Sequence, residues 1–162
     1  MNKVKAIYVL FIIMAIAVFY SVYTWPSQLM ICDSEFKVAF IQIDQIHPEE
    51  LDNDKMISSE IIRDEETIRQ ILESLEAYSF KKQLYVPGQS VRSNTTSAIE
   101  MTFHYKEEST FKIYRFIIKE NGEIVVMKDD EKENKPYSIK GLGKQQEKVL
   151  YRQLAKIIEE KQ

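Results

Sequence analysis

"FKIYRFIIKENGEIVVM", residues 111–127, decides the fold class. Two runs rich in aromatic and β-branched residues, Phe111 to Lys119 and Glu123 to Met127, flank Asn121-Gly122. That dipeptide tolerates the positive φ of a type I′ turn, so the sequence predicts a hairpin and, with it, an antiparallel sheet. Just upstream, in "AIEMTFHY", Ile99, Met101, Phe103 and Tyr105 alternate with Glu100, Thr102 and His104. A period of two marks a half-buried strand. Phe36 to Ile43, Ile57 to Arg63 and Pro136 to Lys140 are further strand candidates.

Two helices complete the pattern. Asp64 is placed to cap a helix over Glu65 to Ser79, with Glu65 and Glu66 in the first turn, where the helix dipole favours negative charge. Ile68, Ile71, Leu72, Leu75 and Tyr78 fall on one stripe of it. Gly141 and Gly143 break the chain before a second helix, whose stripe is Leu150, Leu154, Ile157 and Ile158. Each stripe needs an apolar partner, and the strand faces carrying Ile99, Met101, Phe103 and Ile113, Ile117 are expected to supply one shared core. The expected fold is α+β, an antiparallel sheet packed against two helices.

Ahead of this lies Ala6 to Tyr23, "AIYVLFIIMAIAVFYSVY", eighteen residues with no charge, Pro or Gly. At about 1.5 Å per helical residue it approaches the ~30 Å of a bilayer's hydrocarbon core. Lys3 and Lys5 precede it, and Asp33 and Glu35 follow, so the positive-inside rule puts the N-terminus in the cytoplasm. Tyr20, Tyr23 and Trp25 fall where an interfacial aromatic belt sits, and Pro26 ends the helix. Cleavage as a secretory signal calls for a shorter apolar run and small residues before the cut, whereas Val22, Tyr23 and Trp25 are bulky. Lipid attachment at Cys32 has the right spacing from Leu29, but Ile31 stands where a small residue belongs. We therefore expect an uncut single-pass anchor (residues 1–25), a tether (26–34) and an extracytoplasmic α+β domain (35–162). The single cysteine allows no intramolecular disulfide.

The chain carries 22 basic and 25 acidic side chains. Setting Lys3 and Lys5 aside leaves 20 against 25, a net charge of −5 for the remainder. This balance disfavours nucleic acid and docking on anionic lipid, both of which favour basic faces. The ordered set "RDEETIRQILESLEAY", "AIEMTFHYK", "IYRFIIKENGEIVV", "KPYSIKG" and "EKVLYRQLAKII" resembles small membrane-anchored or lipoprotein extracytoplasmic domains of unknown function from Gram-positive bacteria. The likeness spans residues 56–160, and it implies no catalytic residue or cofactor.

Motifs for chemistry are sparse. His47 precedes the acidic run Glu49, Glu50, Asp52 and Asp54, which lacks the Gly and distal Glu of an EF-hand loop. Glu100, Thr102 and His104 share a strand face and could join in a site, although the expected reading is an exposed strand histidine. Ser-x-x-Lys occurs at Ser34/Lys37, Ser79/Lys82 and Ser109/Lys112 without its companion motifs. Tyr105, Phe111, Tyr114 and Phe116 are expected in the core or as cross-strand partners, and any left exposed would form a recognition face. No residue is assigned as catalytic, cofactor-binding or metal-ligating, and no cofactor is expected. The function read from the sequence is a membrane-tethered binding or accessory domain for an envelope or membrane protein. The alternatives are an envelope hydrolase using acidic residues, or a secreted or lipidated form of the same domain.

Overall fold

The computed structural model describes residues 3–26, 29, 37–46, 58–83, 96–106, 111–128, 135–139 and 145–161. It opens with α1 (Lys3–Tyr23). The order is then β1 (Val38–Ile46), β2 (Ser58–Ile62), α2 (Glu65–Glu76), β3 (Phe80–Lys82), β4 (Ala98–Lys106), β5 (Phe111–Lys119), β6 (Ile124–Lys128), β7 (Lys135–Ile139) and α3 (Gln145–Glu159). The α+β class with an antiparallel sheet and two packed helices is as the sequence predicts.

All seven strands join one sheet in the order β2-β1-β4-β5-β6-β7-β3, with antiparallel pairing throughout. Strands β4, β5 and β6 form its centre as successive hairpins. The edges, β2 and β3, are joined to each other through α2. Strand β3 is too short to show a period and was not foreseen.

The two helices pack on one face. Ile68, Ile71 and Leu75 of α2, and Leu150, Leu154 and Ile158 of α3, meet Ile41, Ile43, Ile99, Met101, Phe103, Phe116, Ile118 and Val126 in one buried cluster. Phe80 and Phe116 sit edge to face with centroids 6.1 Å apart. The even residues of β4 point to the opposite face. Here one expectation needs correcting: on β5 the core positions are Phe116 and Ile118, while Ile113 and Ile117 face away. Ile117 instead joins Ala98 and Val125 in a smaller buried group on the helix-free side. A register shift between Val38 and Phe40 has a related effect, since it turns Val38 to the core beside Tyr105 and Phe40 to the face of His104.

Local signals hold α2 in place. The Asp64 carboxylate accepts the Thr67 N–H at 3.0 Å, as an N-cap should. It also receives Lys161 Nζ at 2.9 Å, which ties the start of α2 to the end of α3. Helix α2 stops at Glu76, three residues short of the expected end.

The β5–β6 turn differs from the expected type I′. The Gly122 N–H donates to the Lys119 carbonyl at 2.9 Å, and the Lys119 N–H to the Glu123 carbonyl at 2.8 Å. The loop is therefore three residues, Glu120 to Gly122, with Gly122 at φ 87°. That is the arrangement in which a turn is followed by a left-handed bulge residue. The Asn121 side chain accepts the Glu123 N–H at 2.9 Å. Lys119, almost wholly buried, pairs with Glu123 at 2.8 Å.

Helix α1 packs differently from the other two. Its fourteen large apolar side chains from Ile7 to Tyr23 are 39% to 75% exposed, and none belongs to the core cluster. Among the described residues no helix is long and apolar enough to cross a membrane. The expected membrane-spanning anchor is thus unsupported, while α1 is a helix with an exposed apolar surface. Leu29, within the stretch read as a tether, is buried in the core cluster.

Candidate functional site

The helix-free face of the sheet gathers the polar side chains that the strand period sets opposite the core. Register places Asp44 of β1 directly across from Glu100 of β4. Like charges so placed repel, and two neighbours offset the repulsion. Arg115 of β5 brings Nε to 3.0 Å from Glu100 Oε1, with the Glu100 side chain 10% exposed. No hydrogen bond is aligned on that Nε, so the contact is an ion pair without directional support. The Gln42 amide reaches Asp44 Oδ2 at 3.4 Å and Ser59 Oγ at 3.3 Å. These are long hydrogen bonds.

His104 lies further along the same face. Its ring stacks on Phe40 at 4.1 Å and 16°, and the Arg63 guanidinium sits 5.9 Å from the Phe40 centroid. Nε2 is buried and has no hydrogen-bond partner. Burial lowers the pKa of the imidazole below its ordinary 6.5, so it is neutral at pH 7. Glu100, Thr102 and His104 thus share a face, as the period predicts. They do not converge, because four residues of extended strand put about 13 Å between Glu100 and His104. Glu100 pairs with Arg115 and the His104 ring stacks on Phe40, so these three residues form neither a carboxylate–imidazole pair nor a base beside a nucleophile.

The sequence did not single out Arg115, Asp44, Gln42 or Phe40. Only the pairing of β1 and β5 with β4 makes them neighbours of Glu100 and His104. An exposed aromatic recognition face is not what these residues build: Tyr105 and Phe116 are buried in the core and Tyr114 packs against it. The side chain of Phe111 lies outside the described residues, as do His47, Cys32, and the acidic run at Glu49, Glu50, Asp52 and Asp54. Among the described residues no three His, Cys, Asp or Glu side chains come together to hold a metal ion.

Two other places carry polar side chains. An open groove of about 340 Å³ runs between α2 and α3, lined by Gln70, Glu73, Ser74, Tyr78, Gln153 and Ile157 among others. Tyr78 donates to Gln153 across it at 3.2 Å, and Glu73 is paired with Arg69 at 2.6 Å. The groove therefore presents amides and hydroxyls without an activated group. The second place is the outer end of α1, where Lys82 of β3 sits 5.9 Å over the Tyr23 ring. There Thr24 is buried and donates to the Tyr20 carbonyl at 2.8 Å, whereas Trp25 is 73% exposed.

Compared with family models, with curated proteins and with solved structures, the chain matches none.

Proposed function

We propose that this protein is a membrane-tethered domain that acts by binding an envelope or membrane protein, with α1 as its anchor and the α+β domain outside. The observation that carries the reading is the exposure of α1. Fourteen large apolar side chains standing in water would forgo on the order of 20 kcal/mol of burial, and soluble surfaces rarely leave so large a patch uncovered. A bilayer is the cover that fits, since the uncharged sequence from Ala6 to Tyr23 matches its hydrocarbon thickness and Lys3 and Lys5 sit on one side only. The resemblance to Gram-positive membrane-anchored domains agrees with this placement.

Binding is favoured over hydrolysis because several of the described charged groups are already paired with one another. Glu100 faces Arg115, Lys119 faces Glu123, and Asp64 faces Lys161. Trp25, the single tryptophan, gives the test. Reconstituted full-length protein should show Trp25 emission quenched by lipids brominated near the headgroup. N-terminal sequencing of the mature protein should return the original terminus. A new terminus between Ser21 and Asp33, or an unquenched Trp25, would sink the anchor. Crosslinking in the native envelope should yield a protein partner. A hydrolytic activity lost in Glu100→Gln or His104→Ala, with no crosslinked partner, would favour the enzyme instead.

A further inference from the structure

We infer that the β3 edge of the sheet is the surface turned toward the bilayer, where Lys82, with Lys81, contacts the phosphate of anionic phospholipid headgroups. This rests on α1 being the anchor.

Tyr23 is the last residue of α1, so its ring marks the level at which the helix leaves the hydrocarbon. The Lys82 ammonium lies 5.9 Å from that ring and is thereby held at headgroup depth. On the domain side of the helix end, Thr24 is buried next to Tyr23 and Leu29 is packed in the domain core. Among the described residues, strand β3 pairs on one side only, with β7, and ends the sheet there. Alternation along the strand sends Lys81 and Lys82 to opposite faces of that edge, and two point charges straddling an edge suit the phosphates of neighbouring lipids.

The net charge of −5 argues against a broad lipid-binding face, and two lysines do not make one. They act locally, opposing the repulsion that an acidic domain would meet when its anchor brings it against an anionic surface. Lys37 is the natural internal control. Its side chain is 85% exposed, and it pairs with Glu65 in the first turn of α2, the turn that follows β2 at the other edge of the sheet.

The experiment uses the full chain reconstituted into phosphatidylcholine vesicles, with and without about a third phosphatidylglycerol. Lysine acetylation rates are read residue by residue by mass spectrometry. We expect Lys82 and Lys81 to be labelled about fivefold more slowly in the anionic vesicles, the weight of one basic residue near such a surface. Molar salt should abolish the difference, and Lys37 should label equally in both. Equal rates at Lys82 in the two vesicles, with Trp25 quenched by headgroup-brominated lipid, would overturn the lipid contact while leaving the anchor standing. Equal slowing at Lys37 would overturn it too, as adsorption of the whole domain. An unquenched Trp25 would remove the anchor and this inference together.

Discussion

Replacing Gly122 by Ala tests the turn that closes the central hairpin. Gly122 holds φ 87°, a region that costs a residue with a Cβ about 1–2 kcal/mol. Against this, Ala restricts the unfolded chain and returns about 0.4–1 kcal/mol. The expected net loss is about 1 kcal/mol, plus whatever is lost where Lys119 meets Glu123 if the loop reshapes. With an m-value of about 2 kcal/mol/M in urea, the midpoint should fall by about 0.5 M. The companion substitutions separate the observed loop from a two-residue type I′ turn. In a type I′ turn Asn121 would also need positive φ, and Asn121→Gly would be neutral or stabilising. In the observed loop, Asn121→Gly loses the 2.9 Å hydrogen bond to the Glu123 N–H and adds backbone entropy, so it should lower the midpoint as much as Gly122→Ala. Urea titration of the full chain in detergent micelles, followed by far-ultraviolet circular dichroism, measures all three proteins. A stabilised Asn121→Gly variant would refute the assigned loop.

The remaining predictions address the two sheet faces and two titrating groups. Phe116→Ala should cost about 3–5 kcal/mol, while Ile113→Ala, half-buried on the other face, should cost about 1 kcal/mol; equal losses would contradict the register of β5. NMR titration should place the His104 pKa below 6.5. Because the fold favours the neutral ring, stability should decline as pH falls from about 6.5 through that lower value, and His104→Phe should remove this slope. The Asp64 carboxyl is held at about 2 by Thr67 and Lys161, so its contribution is complete above about pH 4 and is lost as pH falls toward 2. Asp64→Asn keeps the capping acceptor and should flatten that acid limb with a smaller stability loss than Asp64→Ala, as judged by thermal melts from pH 2 to 5.

What the sequence makes legible here is what local periodicity encodes. The alternation in β4 sorted Ile99, Met101 and Phe103 from Glu100, Thr102 and His104, and the stripes of α2 and α3 named the apolar residues buried there, though Leu72, Tyr78 and Ile157 are only partly buried and the buried Thr67 and Glu147 carry no apolar signal. Asp64 could be read as a cap because capping is a matter of three residues. β5 resisted, since Ile113, Tyr114, Phe116, Ile117 and Ile118 put apolar side chains on both faces and period two cannot choose between them. The smaller cluster of Ala98, Ile117 and Val125 is the reason both faces are apolar. The register shift before Phe40 left no local mark, so the stack of Phe40 on His104 could not be foreseen. Arg115 meets Glu100 only through strand pairing, and that depends on residues far apart in sequence.

The connection through α2 has a consequence for how the molecule assembles. β2 and β3 lie at opposite ends of seven strands, about 29 Å apart at the usual strand spacing, yet the intervening chain is only residues 63–79. The hairpins of β4, β5 and β6 need only short loops and can close early. The two margins share one helix, and neither can settle until α2 lies across the finished centre. They should therefore form late and in the same step. Amide exchange from the native state would then show β2 and β3 opening together as one cooperative unit, although no strand ladder connects them except through the whole width of the sheet.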